Sequence, residues 1–165
     1  TDDSAISFST KKLGEEIIPV AKLSDHKQDA ILHNYYTTKL LERLLQRIST
    51  ETGLSLNELI VIHYLYCFPH SNITKDMSLF TDINQFLLVP LLEKLVFNEY
   101  VTRDKSSDFE TYYSLSQKAE SITKQLNQLT QDFDSIRFAG IDSSTQELLQ
   151  TTEDTIYENI RNKLL

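Results

Sequence analysis

From Asp25 to Thr50, apolar side chains return every three or four residues: Ile31, Leu32, Tyr35, Leu41, Leu44, Leu45 and Ile48, with polar residues between them. That period lines one face of an α-helix. Ser24 or Asp25 is placed to cap its start, and Gly53 to close its end in a left-handed conformation. Ser55-Leu56-Asn57-Glu58 then forms a capping box, with Leu54 and Leu59 placed as its hydrophobic staple. The helix it opens runs through Ile60, Ile62, Leu65 and Tyr66 and stops before Pro69. A short helix over about 73–80, capped by Ser71 or Asn72, is followed by one from Asp82, with Gln85 three residues on, to Phe97. Thr81 and its neighbours alone separate the two, which predicts a helix-turn-helix unit. Pro90 falls inside the second helix and predicts a kink or a later effective start, at roughly 3 kcal/mol.

The period then drops to two. Tyr100-Val101-Thr102-Arg103 and Thr111-Tyr112-Tyr113-Ser114-Leu115 are β-branched and aromatic, with a turn-like Lys105-Ser106-Ser107-Asp108 between them. This hairpin is the sole β-structure the pattern predicts. Ser116 is expected to cap a long helix whose apolar residues Ile122, Leu126, Leu129, Phe133 and Ile136 are spaced four, three, four and three, as in a coiled-coil seam. Gly140 breaks it. Ser144-Thr145-Gln146-Glu147 reads as another capping box, opening a last helix that carries Leu149, Ile156, Ile160 and Leu164. Residues 1–23 show no sustained period and read as a tail with a short lead-in through Ile17, Ile18 and Val20.

Composition agrees with a mostly helical chain. Three glycines and three prolines in 165 residues are too few for the turns of an all-β protein. The longest apolar run, Phe86 to Leu92, is far below the ~20 residues of a membrane span. The polar, acidic N-terminus does not read as a secretory signal. Cys67 is the single cysteine, so no intrachain disulfide is expected, which fits a cytoplasmic protein.

The predicted order is helix, helix, short helix, helix, hairpin, long helix, final helix. Leu91-Leu92-Glu93-Lys94-Leu95-Val96-Phe97-Asn98-Glu99-Tyr100-Val101-Thr102-Arg103 resembles the recognition-helix end and first wing strand of the MarR family of bacterial transcriptional regulators. Tyr113-Ser114-Leu115-Ser116 resembles the second wing strand, and Leu54-Ser55-Leu56-Asn57-Glu58-Leu59 the opening of the preceding helix. The resemblance covers residues 25–165. It implies a mostly α (α+β) fold: a winged helix-turn-helix module at 53–115, flanked by dimerisation helices at 24–52 and 116–165. It further implies a homodimer that acts on double-stranded DNA as a sequence-specific transcriptional regulator, with helix 82–97 in the major groove and the wing at a minor groove. The interface residues it assigns are Ile31, Tyr35, Leu126, Leu129, Phe133, Ile136, Leu149, Ile156, Ile160 and Leu164. No catalytic residue, metal, cofactor or membrane contact is implied.

The chain departs from the family at the surfaces that meet DNA. The family's wing carries an aspartate and arginines, where this chain has Ser107-Asp108-Phe109-Glu110. Within 53–116, four cations (Lys75, Lys94, Arg103, Lys105) stand against eight anions, and the whole chain carries −8. That balance opposes tight binding to a polyanion. The DNA contacts this sequence offers are Lys75, Thr81, Asn84, Gln85, Phe86, Arg103 and Lys105. Asn84 and Gln85 are able to read adenine, and Phe86 to touch a thymine methyl. The alternative is a winged helix turned into a protein-interaction module that binds a regulator or an enzyme.

Other candidate chemistry is weaker. His63 and Cys67 share a helix face and His70 follows, a spacing that can hold a metal. A buried thiol and a core histidine are the better reading. Cys67 as a peroxide sensor lacks a cation to lower its pKa. Tyr35, Tyr36, Tyr64 and Tyr66 could line a pocket for a phenolic ligand, but aromatics at helical spacing are mostly core. No glycine-rich phosphate loop or nucleophile elbow is present.

Overall fold

A computed structural model describes residues 9–13, 16–20, 29–69, 74–105 and 111–164, for 9–13, 16–20, Lys75 and Lys105 by backbone alone. The chain comprises two units, residues 1–41 and 42–165.

In the first unit, β1 (Ser9–Leu13) and β2 (Glu16–Val20) pair antiparallel, with Ser9 opposite Val20 and Leu13 opposite Glu16. A tail without regular structure was the expectation here, so this second hairpin is a correction. Ser-Thr-Lys-Lys-Leu is short of the β-branched and aromatic residues that mark a strand, and Pro19 argues against one. A two-stranded ribbon has two free edges, however, and an edge position tolerates a missing N–H. Helix α1 (Ala30–Thr52) starts in this unit and runs into the next. Asp29 caps it, its Oδ1 accepting from the Leu32 N–H at 2.9 Å. Ser24 and Asp25 lie outside the described residues.

The second unit is built around α2 (Leu56–Cys67). The predicted capping box forms: the Glu58 N–H donates to Ser55 Oγ (3.2 Å), and the Ser55 N–H to Glu58 Oε2 (2.7 Å). Leu59, Val61, Ile62 and Leu65 are buried, because α2 packs against α3 (Thr74–Thr81), α4 (Gln85–Phe97), α5 (Glu120–Arg137) and one strand of the wing. Met77 of α3 and Leu88, Leu92 and Leu95 of α4 complete this core from the other side. Each such side chain contributes about 1.5–3 kcal/mol by leaving water. The wing is β3 (Val101–Lys105) paired antiparallel with β4 (Thr111–Leu115), Val101 opposite Leu115, and Val101 and Tyr113 point into the core.

Three predicted helix starts are displaced. Ser116 precedes a 3₁₀ turn (Gln117–Ala119), and its hydroxyl donates to the Glu99 carbonyl instead of capping. Asp82 lies outside α4, at φ 56°, and Asn84 caps that helix. The final helix α6 (Ser143–Leu164) is capped by Asp142, which accepts from the Thr145 N–H (3.0 Å) and from the Ser144 and Thr145 hydroxyls. These bonds hold the Asp142 carboxyl well below the usual carboxylate range.

The coiled-coil-like stripe of α5 is largely internal. Ile122, Leu126, Leu129 and Phe133 are buried within the chain, α5 lying on α2, while Ile136 is exposed. Leu126, Leu129 and Phe133 were expected to face a partner; in this chain they form its own core, since a heptad-like stripe serves either purpose. Helix α6 behaves differently: none of its residues is buried. Arg137 of α5 pairs with Glu153 of α6. Among the described residues, no helix is long and apolar enough to cross a membrane.

Candidate nucleic-acid interface

Helix α3, the turn 82–84 and α4 form the helix-turn-helix. The turn is held by local bonds that its sequence supplies. The Thr81 hydroxyl donates to the Met77 carbonyl (2.7 Å), and its oxygen accepts from the Ile83 N–H (3.4 Å). The Ser78 hydroxyl reaches across to the Ile83 carbonyl (2.6 Å), and Ile83 is buried. Asn84 Oδ1 accepts from the Phe86 N–H at 2.9 Å. Thr81 and Asn84, both expected to contact DNA, thus also hold the turn and cap α4.

With Leu88, Leu92 and Leu95 facing inward, helical geometry turns Gln85, Phe86, Leu87, Val89 and Pro90 outward. Gln85 is exposed at the first position of the helix. Phe86 is 89% exposed. Pro90 sits inside α4 on this exposed side. Lys75 lies on α3 and Lys105 ends β3.

Charged pairs fasten the module. Lys94 Nζ of α4 lies 3.0 Å from Oε1 of Glu58, a carboxylate that is almost fully buried on α2. Burial pushes the Glu58 carboxyl up, but the Ser55 N–H, the bonds from Lys94 and Ser55, and the lysine charge outweigh it, so its pKa is lowered. Arg103 was expected on a DNA phosphate. Instead its Nη1 is 2.8 Å from both oxygens of Glu93 on α4, and the Tyr113 hydroxyl donates to Glu93 at 3.2 Å. Wing and α4 are therefore braced together. Lys118 Nζ donates to the Asn98 carbonyl (2.9 Å) and lies 4.8 Å over the Tyr100 ring. Helix α4 ends in a Schellman arrangement: the Glu99 N–H donates to Val96 and the Tyr100 N–H to Leu95, with Glu99 at φ 63°.

No protein-family model matches the chain, and no curated protein matches it by sequence. Solved structures do. A MarR-family transcriptional regulator from Silicibacter pomeroyi aligns with a TM-score of 0.68 at 16% identity, over 87% of this chain and 97% of the other. A MarR regulator from Methanosarcina mazei Go1 gives 0.66 at 15% identity, over 87% and 94%. This is the MarR-type winged-helix fold. A Listeria monocytogenes regulator assigned to the same family, in complex with a 26-mer DNA, gives 0.70 at 12% identity, over 83% and 92%. In this MarR-type fold, α3 and α4 are the helix-turn-helix and β3–β4 the wing.

On α2, away from the helix-turn-helix turn and the wing, His63 Nε2 is 3.5 Å from Cys67 Sγ. Cys67 is exposed, not buried as expected, because it stands at the open end of α2. Even so, partial desolvation pushes its thiol up, and burial pushes the His63 imidazole down toward the neutral form. His70 lies outside the described residues, and among those described no three potential ligands gather into a metal site. The tyrosines serve different neighbours. Tyr35 and Tyr36 pack edge-to-face in the first unit, Tyr64 packs with Phe68 and Phe80, and the Tyr66 ring stacks with His63.

Proposed function

We propose that this chain is a transcriptional regulator, without catalytic activity, that binds duplex DNA as a homodimer in the bacterial cytoplasm. The observation that carries the reading is the packing of α3, a three-residue turn, α4 and a two-stranded wing into one module, with the N-terminal half of α4 turned outward. A helix so presented enters a major groove. The Listeria monocytogenes neighbour solved with DNA supports the reading.

Gln85 is the side chain for adenine, Phe86 for a thymine methyl, and Lys75 and Lys105 for phosphates. Residues 53–115 are the DNA module; 24–52 and 116–165 are the dimerisation helices, with 1–23 leading into them. Support for the dimer comes from α6. It has 22 residues and buries none of them, whereas most helical stability in proteins comes from packing an amphipathic face. Leu149, Ile156, Ile160 and Leu164 recur at helical spacing, and Ile156, Tyr157 and Ile160 are about half exposed. A second copy covers this stripe; exposed Ile136 of α5 and, in the first unit, exposed Ile31 and Tyr35 of α1 are further dimer contacts.

Selection of bound duplexes from a random pool tests the reading. It should retain a subset, and Gln85→Ala should relax preference at one base position by about 1–3 kcal/mol. Failure to retain any duplex at low salt overturns it. A second reading, a protein-interaction module, is favoured by one observation: the outward face of α4 is mainly apolar.

A further inference from the structure

The side of α4 opposite its buried leucines carries Phe86, Pro90, Glu93 and Phe97, spaced four, three and four residues apart and so aligned along one ridge. Phe86 is 89% and Phe97 86% exposed, and Leu87 and Val89 are exposed beside them. Two phenylalanines left almost wholly in water on one helix form the kind of apolar patch that marks an interaction site. From Phe86 to Phe97 the ridge is about 16 Å long, three turns of helix.

Charge narrows the occupant. The described side chains of 53–116 include two cations, Lys94 and Arg103, and each is bound to a carboxylate. Lys118, just beyond, is held on a backbone carbonyl. Exposed acids stand at both ends of the ridge, Asp82 three residues before α4 and Glu99 two after it, with Asp104 exposed on the wing. A second copy of this chain would bring the same acids to the same place. A cationic partner with an apolar stripe meets both the ridge and its rim.

We propose that the outer ridge of α4 is a docking surface for a basic amphipathic helix of another protein. Its apolar side chains lie against Phe86 and Phe97, and its lysines or arginines reach Asp82 and Glu99. This goes beyond the DNA reading and does not depend on it. Because that reading turns the same ridge to the groove, the two occupants exclude each other.

The test is a fluorescence-anisotropy titration of the full chain with a labelled synthetic Leu/Lys amphipathic helix of about 15 residues, four turns long. A Leu/Glu peptide of the same pattern and a Ser/Lys peptide of the same charge serve as comparisons. The Leu/Lys peptide should bind roughly tenfold or more tightly than either. Phe86→Ser with Phe97→Ser should weaken it by a similar factor while leaving the circular dichroism unchanged. Asp82→Asn with Glu99→Gln should weaken it independently. Equal binding of the Ser/Lys peptide, or no effect of the phenylalanine changes, overturns the proposal. So does a fall in assembly size in the phenylalanine variant, which assigns the ridge to a second copy. Loss of duplex affinity in that variant, with no peptide bound by the parent, assigns it to DNA.

Discussion

Glu99 holds a left-handed backbone, φ 63°, at the position after the α4 cap where glycine is usual. For a residue with a side chain that conformation costs roughly 1–2 kcal/mol, and glycine returns part of the gain through its freer unfolded chain. Glu99→Gly should therefore stabilise the fold by up to about 1 kcal/mol in urea denaturation, and a loss of stability would refute the strain. Glu58 gives a pH prediction. Its carboxyl is buried yet held below its ordinary pKa by Ser55 and Lys94. A lowered folded-state pKa means its contribution is full above the ordinary carboxylate range and fades as pH falls through the lowered value. Glu58→Gln should flatten the acid limb of the stability curve, and an unchanged limb would show that the pair contributes nothing there. The capping role of Ser55 and Glu58 was legible in the sequence because it is written within four residues. The bond from Lys94 was not, because it joins residues 36 positions apart.

Elements were more legible than their ends. Helices α1 to α6 and the wing follow from periods of 3.6 and two. Their caps slipped wherever several candidate residues stood in a row: Asp142 serves where Ser144 was expected, and Asn84 where Asp82 was. The β1–β2 hairpin escaped detection because Ser-Thr-Lys-Lys-Leu lacks the β-branched and aromatic run that marks the wing, and Pro19 falls in its partner strand. The α5 stripe was read correctly as apolar, but its period does not say which surface covers it, and α2 does. At this scale Arg103 and Glu93 brace the wing to α4. Both are about 42% exposed, so a double-mutant cycle with alanine should give a coupling of roughly 0.2–1 kcal/mol. Zero coupling would free Arg103 for a phosphate.

The whole molecule sets an apolar, acid-flanked outer face of α4 on a MarR-type winged-helix fold, with a last helix that buries nothing of its own. Net charge −8 sets expectations for affinity: few phosphate contacts, modest binding, and a shallow loss with salt. The architecture was readable from the order of elements. The outward side of α4 was readable at Gln85 and Phe86, the positions expected on DNA, but not at Leu87, Val89 and Phe97, because apolar side chains there look like core until the fold shows which of them face water. Sedimentation of the full chain, alone and with a duplex taken from the random pool, tests the central claim in one measurement. The account predicts a two-chain species alone and two chains on one duplex at low salt, released as salt rises. A single-chain species that leaves the duplex free at low salt would contradict it.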